Sequence, residues 1–305
     1  MSSRLDRNKK VREKINSEEK SRKRKKKQKR MKKMLIVLII IFVLGIVYAR
    51  FIEPNMLFVN EKKIVSSTIE TNFNGLKIVH FSDLHFGSTV HEKQLVKYIK
   101  KINELKPDIV VFTGDLIEAK HEITAKEKEL LIDNLKNIEA KYGKYAILGN
   151  HDYENEHFNK IIYDSDFILL NNSYDVIYSY NNEAIGIYGI DDLTYGSPNM
   201  EKYREKEFAD TKYKVILVHE PDYIDKFIDN YKSDLILAGH SHNQQVRIPY
   251  VKGFWLPKGS KNYYEPYYNI NDTPVYISNG LGTSLLNLRF LSPPSINLYR
   301  INKEK

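Results

Sequence analysis

Short apolar runs alternate with longer amphipathic stretches from Pro54 to the end of the chain. Several of the runs contain β-branched residues and stop abruptly at Gly, Asp or Asn, which is typical of buried β-strands. The sequence therefore predicts strands over residues 77–81, 109–113, 145–148, 185–190, 215–218, 235–238 and 275–278.

Two of the stretches between these runs carry apolar residues at helical spacing. The first has apolar side chains at positions 95, 96, 99, 102 and 105 and ends before Pro107. The second opens with Thr124 and Glu127 in the spacing of a capping box, and it places Leu131, Leu135 and Ile138 on one face. Strands that alternate with helices predict an α/β domain, and we take residues 53–305 as one such domain.

The apolar stretch nearest the N-terminus differs from the others in length and composition. Residues 34–49 carry no charge, and Phe51 and Ile52 extend them toward the roughly 20 apolar residues that span a bilayer. Residues 34–52 therefore predict a transmembrane signal-anchor. Two alternatives stay open, a buried core helix and a signal peptide cleaved after Ala49.

The net positive charge of the chain lies before this apolar stretch. Residues 1–33 carry 17 Lys and Arg against 4 Asp and Glu, a net charge of +13, although the whole chain is only +9. A segment of this composition cannot bury enough apolar surface to fold, so we predict a disordered tail. The positive-inside rule keeps this tail in the cytoplasm and places the domain on the outer side of a single-pass membrane protein. The expected partner of the tail is anionic membrane lipid, and no specific nucleic acid is expected.

The chain contains no cysteine. Its absence excludes a disulfide scaffold, an iron–sulfur site, a zinc ribbon and a cysteine nucleophile. Any metal must therefore be bound by His, Asp, Glu or Asn side chains.

Residues able to bind a metal directly follow most of the predicted strands. In an open α/β sheet the ends of successive strands converge on one crevice, so residues far apart in sequence become neighbours. One Asp or Asn after a strand is usually a turn residue, but eight such residues in one phase of the pattern predict a metal site. The eight are Asp83, His85, Asp115, Asn150, His151, His219, His240 and His242.

These residues lie in five short blocks that resemble, in order, the signature blocks of the calcineurin-like metallophosphoesterase superfamily. The resemblance covers residues 71–290 and is strongest to bacterial membrane-associated phosphoesterases. The chain departs from the family pattern at residues 243–245, where Asn-Gln-Gln replaces the frequent Gly-Gly-Gln. The blocks are Ser82-Asp83-Leu84-His85, Gly114-Asp115, Gly149-Asn150-His151-Asp152, Val218-His219 and Gly239-His240-Ser241-His242.

The resemblance implies one metallophosphoesterase domain with two packed mixed β-sheets flanked by helices, preceded here by one transmembrane helix. It also implies two divalent ions bridged by Asp115, with a further ligand set for each ion. Imidazole mixed with carboxylate and amide oxygen suits Mn, Fe or Zn better than Ca or Mg. The implied sets are Asp83, His85 and His242 for one ion, and Asn150, His219 and His240 for the other.

His151 is not needed as a ligand in this assignment. Beside Asn150 but free of a metal, it is a candidate to protonate the leaving oxygen or to stabilise the transition state. The alternative is a histidine that only orients the neighbouring loop.

The expected function is hydrolysis of a phosphomonoester, phosphodiester or pyrophosphate bond by metal-activated hydroxide, at the membrane. Anchoring of the domain to the membrane favours an envelope lipid or wall precursor as substrate. Two alternatives from other classes stay open: a non-catalytic metal-binding scaffold on the same fold, and a nuclease whose basic tail contacts nucleic acid. The scaffold would normally have lost a ligand, and a bilayer would separate the tail from a nuclease site.

Overall fold

The structure is a computed structural model that describes residues 2–251, 253 and 255–304. Met1 and Lys305, which the predicted segments 1–33 and 53–305 include, lie outside the described residues. The chain divides into two compact units, Met1–Tyr48 and Ala49–Lys305.

The first unit is one helix, α1 (Ser2–Val47). Its basic half differs from the disordered tail that we predicted, because Lys, Arg and Glu are good helix formers and the helix continues directly into the apolar segment. Within the described part of the chain, one helix is long and apolar enough to cross a membrane, and only 6% of its apolar window is buried. A buried core helix, one of the open alternatives, does not fit so little burial.

The second unit is built on strands that form two sheets. All seven predicted strands are confirmed, with ends that differ by no more than two residues. The strands are β1 (Phe58–Ser66), β2 (Leu76–Phe81), β3 (Ile109–Thr113), β4 (Lys144–Ile147), β5 (Ile168–Leu169), β6 (Ser173–Tyr178), β7 (Ala184–Gly189), β8 (Tyr213–Val218), β9 (Leu235–Ala238), β10 (Tyr267–Ile270), β11 (Thr273–Ile277) and β12 (Ser295–Lys303).

Each sheet has six strands and mixed strand directions. The first has the order β1-β12-β2-β3-β4-β5, in which β12 runs antiparallel to β2 and the strands from β2 to β5 are parallel. The second has the order β10-β11-β9-β8-β7-β6, in which β7, β8, β9 and β11 are parallel and the two edge strands are antiparallel to their neighbours.

Helices cover the outer faces of the sheets. The longer ones are α2 (Glu92–Glu104) and α3 (Ala125–Lys136), and short ones are α4 (Asn150–Tyr153), α5 (Phe158–Asp164), α6 (Lys206–Ala209) and α7 (Ile224–Phe227). The predicted capping box at the start of α3 is confirmed: Thr124 Oγ1 accepts the Glu127 N–H at 3.2 Å, and Glu127 Oε2 accepts the Thr124 N–H at 2.9 Å.

The packing of the strands into hydrophobic cores explains why their sequences are continuous apolar runs. Along β3, Ile109 and Val111 point into the core between the two sheets, whereas Val110 and Phe112 point into the core beneath α2, α3 and α5. A strand buried on both faces has no polar positions to alternate with. A third core packs α6 and α7 on the second sheet. The predicted fold, two packed mixed sheets flanked by helices, is confirmed.

Candidate metal centre

The loops that follow the parallel strands of both sheets place polar side chains in one region of the domain. The loops after β2, β3 and β4 carry candidate ligands from the first sheet, and those after β8 and β9 carry candidates from the second. The structure brings all eight sequence-predicted site residues into the same region: Asp83, His85, Asp115, Asn150, His151, His219, His240 and His242.

One group of ligand atoms consists of Asp83, His85 and His242, all buried. The Nε2 atoms of the two histidines lie 3.1 Å apart, and Asp83 Oδ1 lies 3.4 Å from His242 Nε2. The Asp83 carboxylate also accepts the His240 N–H, at 3.0 and 3.2 Å to its two oxygens, and the Ser82 hydroxyl. These bonds fix its orientation without using all of its lone pairs.

A second group consists of Asp115, His219 and His240. His240 Nδ1 lies 3.2 Å from His219 Nε2, and Asp115 Oδ2 lies 3.3 Å from that same Nε2. Asp115 Oδ2 is also 3.5 Å from His85 Nε2, which belongs to the first group. Asp115 therefore stands between the two groups.

Outer contacts fix which ring nitrogens face the centre. His219 donates its Nδ1–H to the Thr113 carbonyl at 2.6 Å, and His240 donates its Nε2–H to the Lys258 carbonyl at 2.8 Å. In each neutral ring the other nitrogen then carries a lone pair. Two lone pairs that face each other at 3.2 Å repel unless a cation or a proton lies between them.

Asn150 supplies an independent sign that a cation belongs here. Among the described residues its buried Oδ1 has no hydrogen-bond partner, although buried polar atoms rarely lack one. An unpartnered amide oxygen beside carboxylates and facing imidazole lone pairs forms a donor set that suits divalent metals. The residues therefore fit the two-metal centre that the sequence predicts.

The backbone at most of these positions adopts a conformation that is unfavourable for residues other than glycine. Five of the seven predicted ligands have left-handed φ angles, which non-glycine residues seldom adopt and which concentrate at functional sites. Gly149 is required for a different reason: a Cβ there would lie 2.4 Å from Asp115 Oδ1. The five strained ligands are Asp83 (φ 50°), His85 (φ 42°), Asp115 (φ 62°), His240 (φ 66°) and His242 (φ 49°).

Burial keeps two of the histidines neutral, as metal ligands must be. It lowers the pKa of His240 to about 4, aided by nearby His219, and it lowers the pKa of His242 well below its usual value, aided by His85. Burial also opposes charge on His219, but Asp115 outweighs it and raises the pKa of His219 well above its usual value. The excess negative charge that produces this rise is charge that cations would neutralise.

His151 lies at the edge of the centre and is half-buried. Its Nδ1 accepts the Ala119 N–H at 3.1 Å, so the neutral ring carries its proton on Nε2. His85, Asp115 and His151 also lie close enough together to hold a metal, but a nitrogen that carries a proton cannot bind one, so we count His151 apart from the ligands. Its own backbone N–H donates to Asp115 Oδ1 at 2.9 Å.

Asp152, which we noted beside His151, does not contact that ring. Its carboxylate accepts three backbone N–H groups, from Asp115 at 2.7 Å, Leu116 at 2.9 Å and Gly149 at 2.8 Å. Burial and the nearby Asp115 charge raise its pKa to about 7. It ties together the two loops that carry Asp115 and Asn150.

Two supporting residues were missed in the sequence. Glu118 Oε2 lies 3.0 Å from His85 Nδ1. Arg289 is fully buried, donates to the carbonyls of Asn279 (2.9 Å) and Ser292 (2.8 Å), and places Nη2 3.3 Å from His242 Nδ1. Glu118 follows Asp115 closely enough to have been suspected, whereas nothing in the sequence near Arg289 signals its role.

A cavity of about 170 Å³ opens beside the ligands. Gln244 and Gln245, from the segment that departs from the family pattern, line it together with His151. Asn243, Gln244 and Gln245 adopt φ angles of 48°, 69° and 50°, so this loop keeps a left-handed path without glycine. The departure changes the side chains at the cavity wall and leaves the ligands in place.

The sequence profile of the calcineurin-like phosphoesterase family matches residues 76–244, a stretch that holds all seven predicted ligands. The chain belongs to this family, whose members bind a dinuclear divalent metal centre. It is therefore a metal-dependent phosphoester hydrolase.

Three relatives are informative. "Uncharacterized metallophosphoesterase YkuE" of Bacillus subtilis is 35% identical over 260 residues, which cover 84% of this chain and 90% of the relative. "UDP-2,3-diacylglucosamine pyrophosphatase LpxG" of Chlamydia trachomatis is 27% identical over 319 residues, covering 85% of this chain and 93% of the relative. A "transmembrane protein with metallophosphoesterase domain" of Danio rerio is 26% identical over 251 residues, covering 78% and 56%.

Proposed function

We propose that this chain is a membrane-anchored phosphoesterase with two divalent ions, whose catalytic domain lies on the outer side of the membrane. The position of Asp115 carries the proposal for the site. Its Oδ2 lies 3.5 Å from His85 Nε2 in one ligand group and 3.3 Å from His219 Nε2 in the other. A carboxylate suits a ligand shared by two ions, because its charge offsets the repulsion between them.

The remaining ligands divide between the two groups that flank Asp115. Asp83, His85 and His242 complete one site, and Asn150, His219 and His240 complete the other. This mixture of imidazole, carboxylate and amide oxygen supports Mn, Fe or Zn as the bound metal. When bound, two such ions polarise phosphoryl oxygens and lower the pKa of a coordinated water toward neutrality.

We assign to His151 the stabilisation of the leaving oxygen. The Ala119 N–H holds the ring with its proton on Nε2, and the ring lines the cavity beside the ligands. A phosphate ester placed against the ligands brings its leaving oxygen within reach of the Nε2–H, which donates a hydrogen bond and stabilises the negative charge that develops on that oxygen as the bond to phosphorus breaks. The His151 N–H bond to Asp115 Oδ1 holds the ring beside the bridging ligand.

The membrane location rests on α1 and on charge. The apolar half of α1 is long enough for an anchor, and the excess of Lys and Arg before it favours a cytoplasmic N-terminus. The Danio rerio relative is also named as a transmembrane protein. An enzyme tethered in this way meets envelope lipids and wall precursors, so we propose a substrate among these.

The type of ester is a separate question that the ligands do not decide. The chlamydial relative is named for cleavage of a pyrophosphate, so pyrophosphates belong in the test beside monoesters and diesters. Full-length protein in detergent should be stripped of metal, reloaded separately with Mn, Fe or Zn, and assayed on matched compounds of the three types. We expect turnover of at least one type only after metal is restored. No turnover of any type with any of the three metals would contradict the proposal.

A further inference from the structure

An apolar rim surrounds the mouth of the metal cavity. Trp255 and Leu285 line this cavity together with the candidate ligands, yet their side chains stay 50% and 62% exposed. Leu286, next in the chain, is 60% exposed, and Leu291, which lines a neighbouring cavity that shares Gln244 with this one, is 49% exposed. We call these four residues the apolar rim. Adjoining exposed apolar side chains, unlike scattered ones, mark a surface that contacts a partner, a ligand or a membrane.

The rim is attached to the loop that carries the last predicted ligand, His242. Gln245 Oε1 accepts the Ser284 N–H at 2.9 Å, and Gln245 Nε2 donates to the Leu286 carbonyl at 2.8 Å. Leu285 lies between these contacts with a φ of 61°. A left-handed backbone is unfavourable for leucine, so the surrounding hydrogen bonds, and not the preference of leucine, hold this side chain outward.

Residues 289–291, a few positions after Leu285 and Leu286, form hydrogen bonds with the residues that follow α1. The Arg289 N–H donates to the Ala49 carbonyl at 2.9 Å, and Glu53 Oε2 accepts the Leu291 N–H at 2.9 Å. Phe51, between Ala49 and Glu53, is 63% exposed. If the apolar half of α1 crosses the bilayer, residues 49–53 emerge at its surface. The two hydrogen bonds then hold residues 289–291, and with them the nearby rim residues, beside that surface.

We propose that the apolar rim inserts into the bilayer surface and that the site takes a membrane-resident lipid phosphoester. The buried polar floor of the cavity fits the phosphate, and the rim fits the acyl chains next to it. Trp255 suits this position, because an indole ring is favoured at the membrane interface. The inference rests on the proposed function and specifies its substrate class. The reaction is ordinary hydrolysis: the oxygen of a water joins phosphorus, the P–O bond of the ester breaks, and the leaving oxygen takes a proton.

Trp255 is the single tryptophan of the chain, so its fluorescence reports the rim directly. The full-length protein should be reconstituted in phosphatidylcholine vesicles whose acyl chains are either unmodified or brominated near the carbonyl. Bromine quenches only a tryptophan that lies among the chains. We expect lower emission from Trp255 in the brominated vesicles, because an inserted indole lies at the level of the bromine atoms. Equal emission in the two kinds of vesicle would overturn the proposal, whatever the enzyme hydrolyses.

Two double variants test whether insertion of the apolar rim favours hydrolysis of a membrane lipid over a soluble ester. Leu285→Gln with Leu286→Gln removes half of the rim, and Tyr163→Gln with Ile168→Gln is the matched control. The control residues are 80% and 43% exposed and lie on α5 and β5, away from the cavity. The assay compares hydrolysis of dioleoylphosphatidic acid in vesicles with hydrolysis of a soluble aryl phosphate. If the enzyme prefers another ester type, a lipid and a soluble compound of that type are compared instead.

We expect the rim variant to lower kcat/KM for the vesicle lipid about tenfold more than for the soluble ester, a difference near 1.4 kcal/mol. The control should leave the ratio of the two unchanged. Equal losses on both substrates would overturn the role of the rim. Failure of the wild type to hydrolyse even the soluble ester would instead contradict the proposed function, while the fluorescence experiment would still decide whether the rim enters the bilayer.

Discussion

His85 Nδ1 lies 3.0 Å from Glu118 Oε2, on the side of the imidazole that faces away from the other ligands. Burial opposes a charge on His85, but contact with Glu118, together with Asp115, raises the pKa of His85. A carboxylate in this position keeps the ring oriented and makes the opposite nitrogen a stronger donor to a metal. Glu118 therefore prepares Nε2 for a metal without touching the metal itself.

We expect Glu118→Gln to weaken metal binding about 10–100-fold, the range found for such supporting carboxylates. Titration of metal into the stripped protein, followed by elemental analysis, measures the change. Glu122→Gln is the matched control, because Glu122 is an exposed acid four residues further along the same segment. Equal affinities for the wild type and both variants would show that the Glu118 contact has no such role.

The strands that the sequence predicted all lie inside the two sheets. Four of the five missed ones are edge strands, and the fifth, β12, lies inside the first sheet. Along β1 (Phe58–Ser66) the only buried residue is Ile64, so no apolar run marks the strand. In β12 (Ser295–Lys303) apolar residues such as Ile296 and Leu298 alternate with Asn297 and Arg300, a pattern that we did not score as a strand.

The ligands could be predicted for a related reason. Each follows a strand that the apolar pattern had already located, and the direction of parallel strands brings the loops to one edge. Glu118 and Arg289 come from loops and a later irregular segment, where no periodicity fixes a position in space. Only the folded backbone shows that Arg289 reaches His242.

We expect Asp115→Asn to reduce metal content and hydrolysis together. The neutral amide removes the charge that offsets repulsion between two ions, while the cores of the domain remain intact. Elemental analysis and turnover should be measured on the same preparation, with circular dichroism to confirm folding. Full metal occupancy with normal turnover would show that Asp115 is not the bridge.

We expect His151→Ala to lower kcat by roughly 10²–10³-fold, the cost of removing one hydrogen-bond donor that stabilises developing charge, while the metal content stays unchanged. The loss should be smaller for substrates whose leaving groups are very acidic, because those groups carry negative charge with little help. A series of aryl esters that differ in leaving-group pKa checks this. An equal loss across the series would favour the alternative, a histidine that only orients the neighbouring loop.

His80 predicts a pH dependence of folding that is separate from catalysis. It is fully buried with Nε2 2.9 Å from Thr113 Oγ1, and burial lowers its pKa from 6.5 to about 3. Between these values the unfolded chain binds a proton that the folded chain does not, so stability falls as the pH falls. This one group contributes up to about 1.4 kcal/mol per pH unit in that window.

His80→Gln should flatten the dependence of unfolding free energy on pH by about that slope. Denaturant unfolding of the metal-free protein at several pH values between 6.5 and the folded pKa measures it. Removing the metal first keeps the titration of the ligands from being confused with loss of the ions. The same slope in the variant and the wild type would show that His80 is not the buried neutral histidine that the structure indicates.

The orientation of the chain in the membrane follows from charge asymmetry. Residues 1–33 carry a net +13, whereas residues 50–69 contain three basic and two acidic side chains. Because the excess of Lys and Arg sets orientation, the N-terminus should face the cytoplasm and the metal centre should face outward. Protease added to intact cells stripped of their wall should therefore digest the catalytic domain and spare the tail, and uncut protein should stay in the membrane after a carbonate wash.

A domain protected until the membrane is broken would reverse the orientation and remove the reason for an envelope substrate. A released fragment that begins at Arg50 would keep the outward orientation and show that the apolar segment is a cleaved signal, in which case the rim would have no anchor beside it.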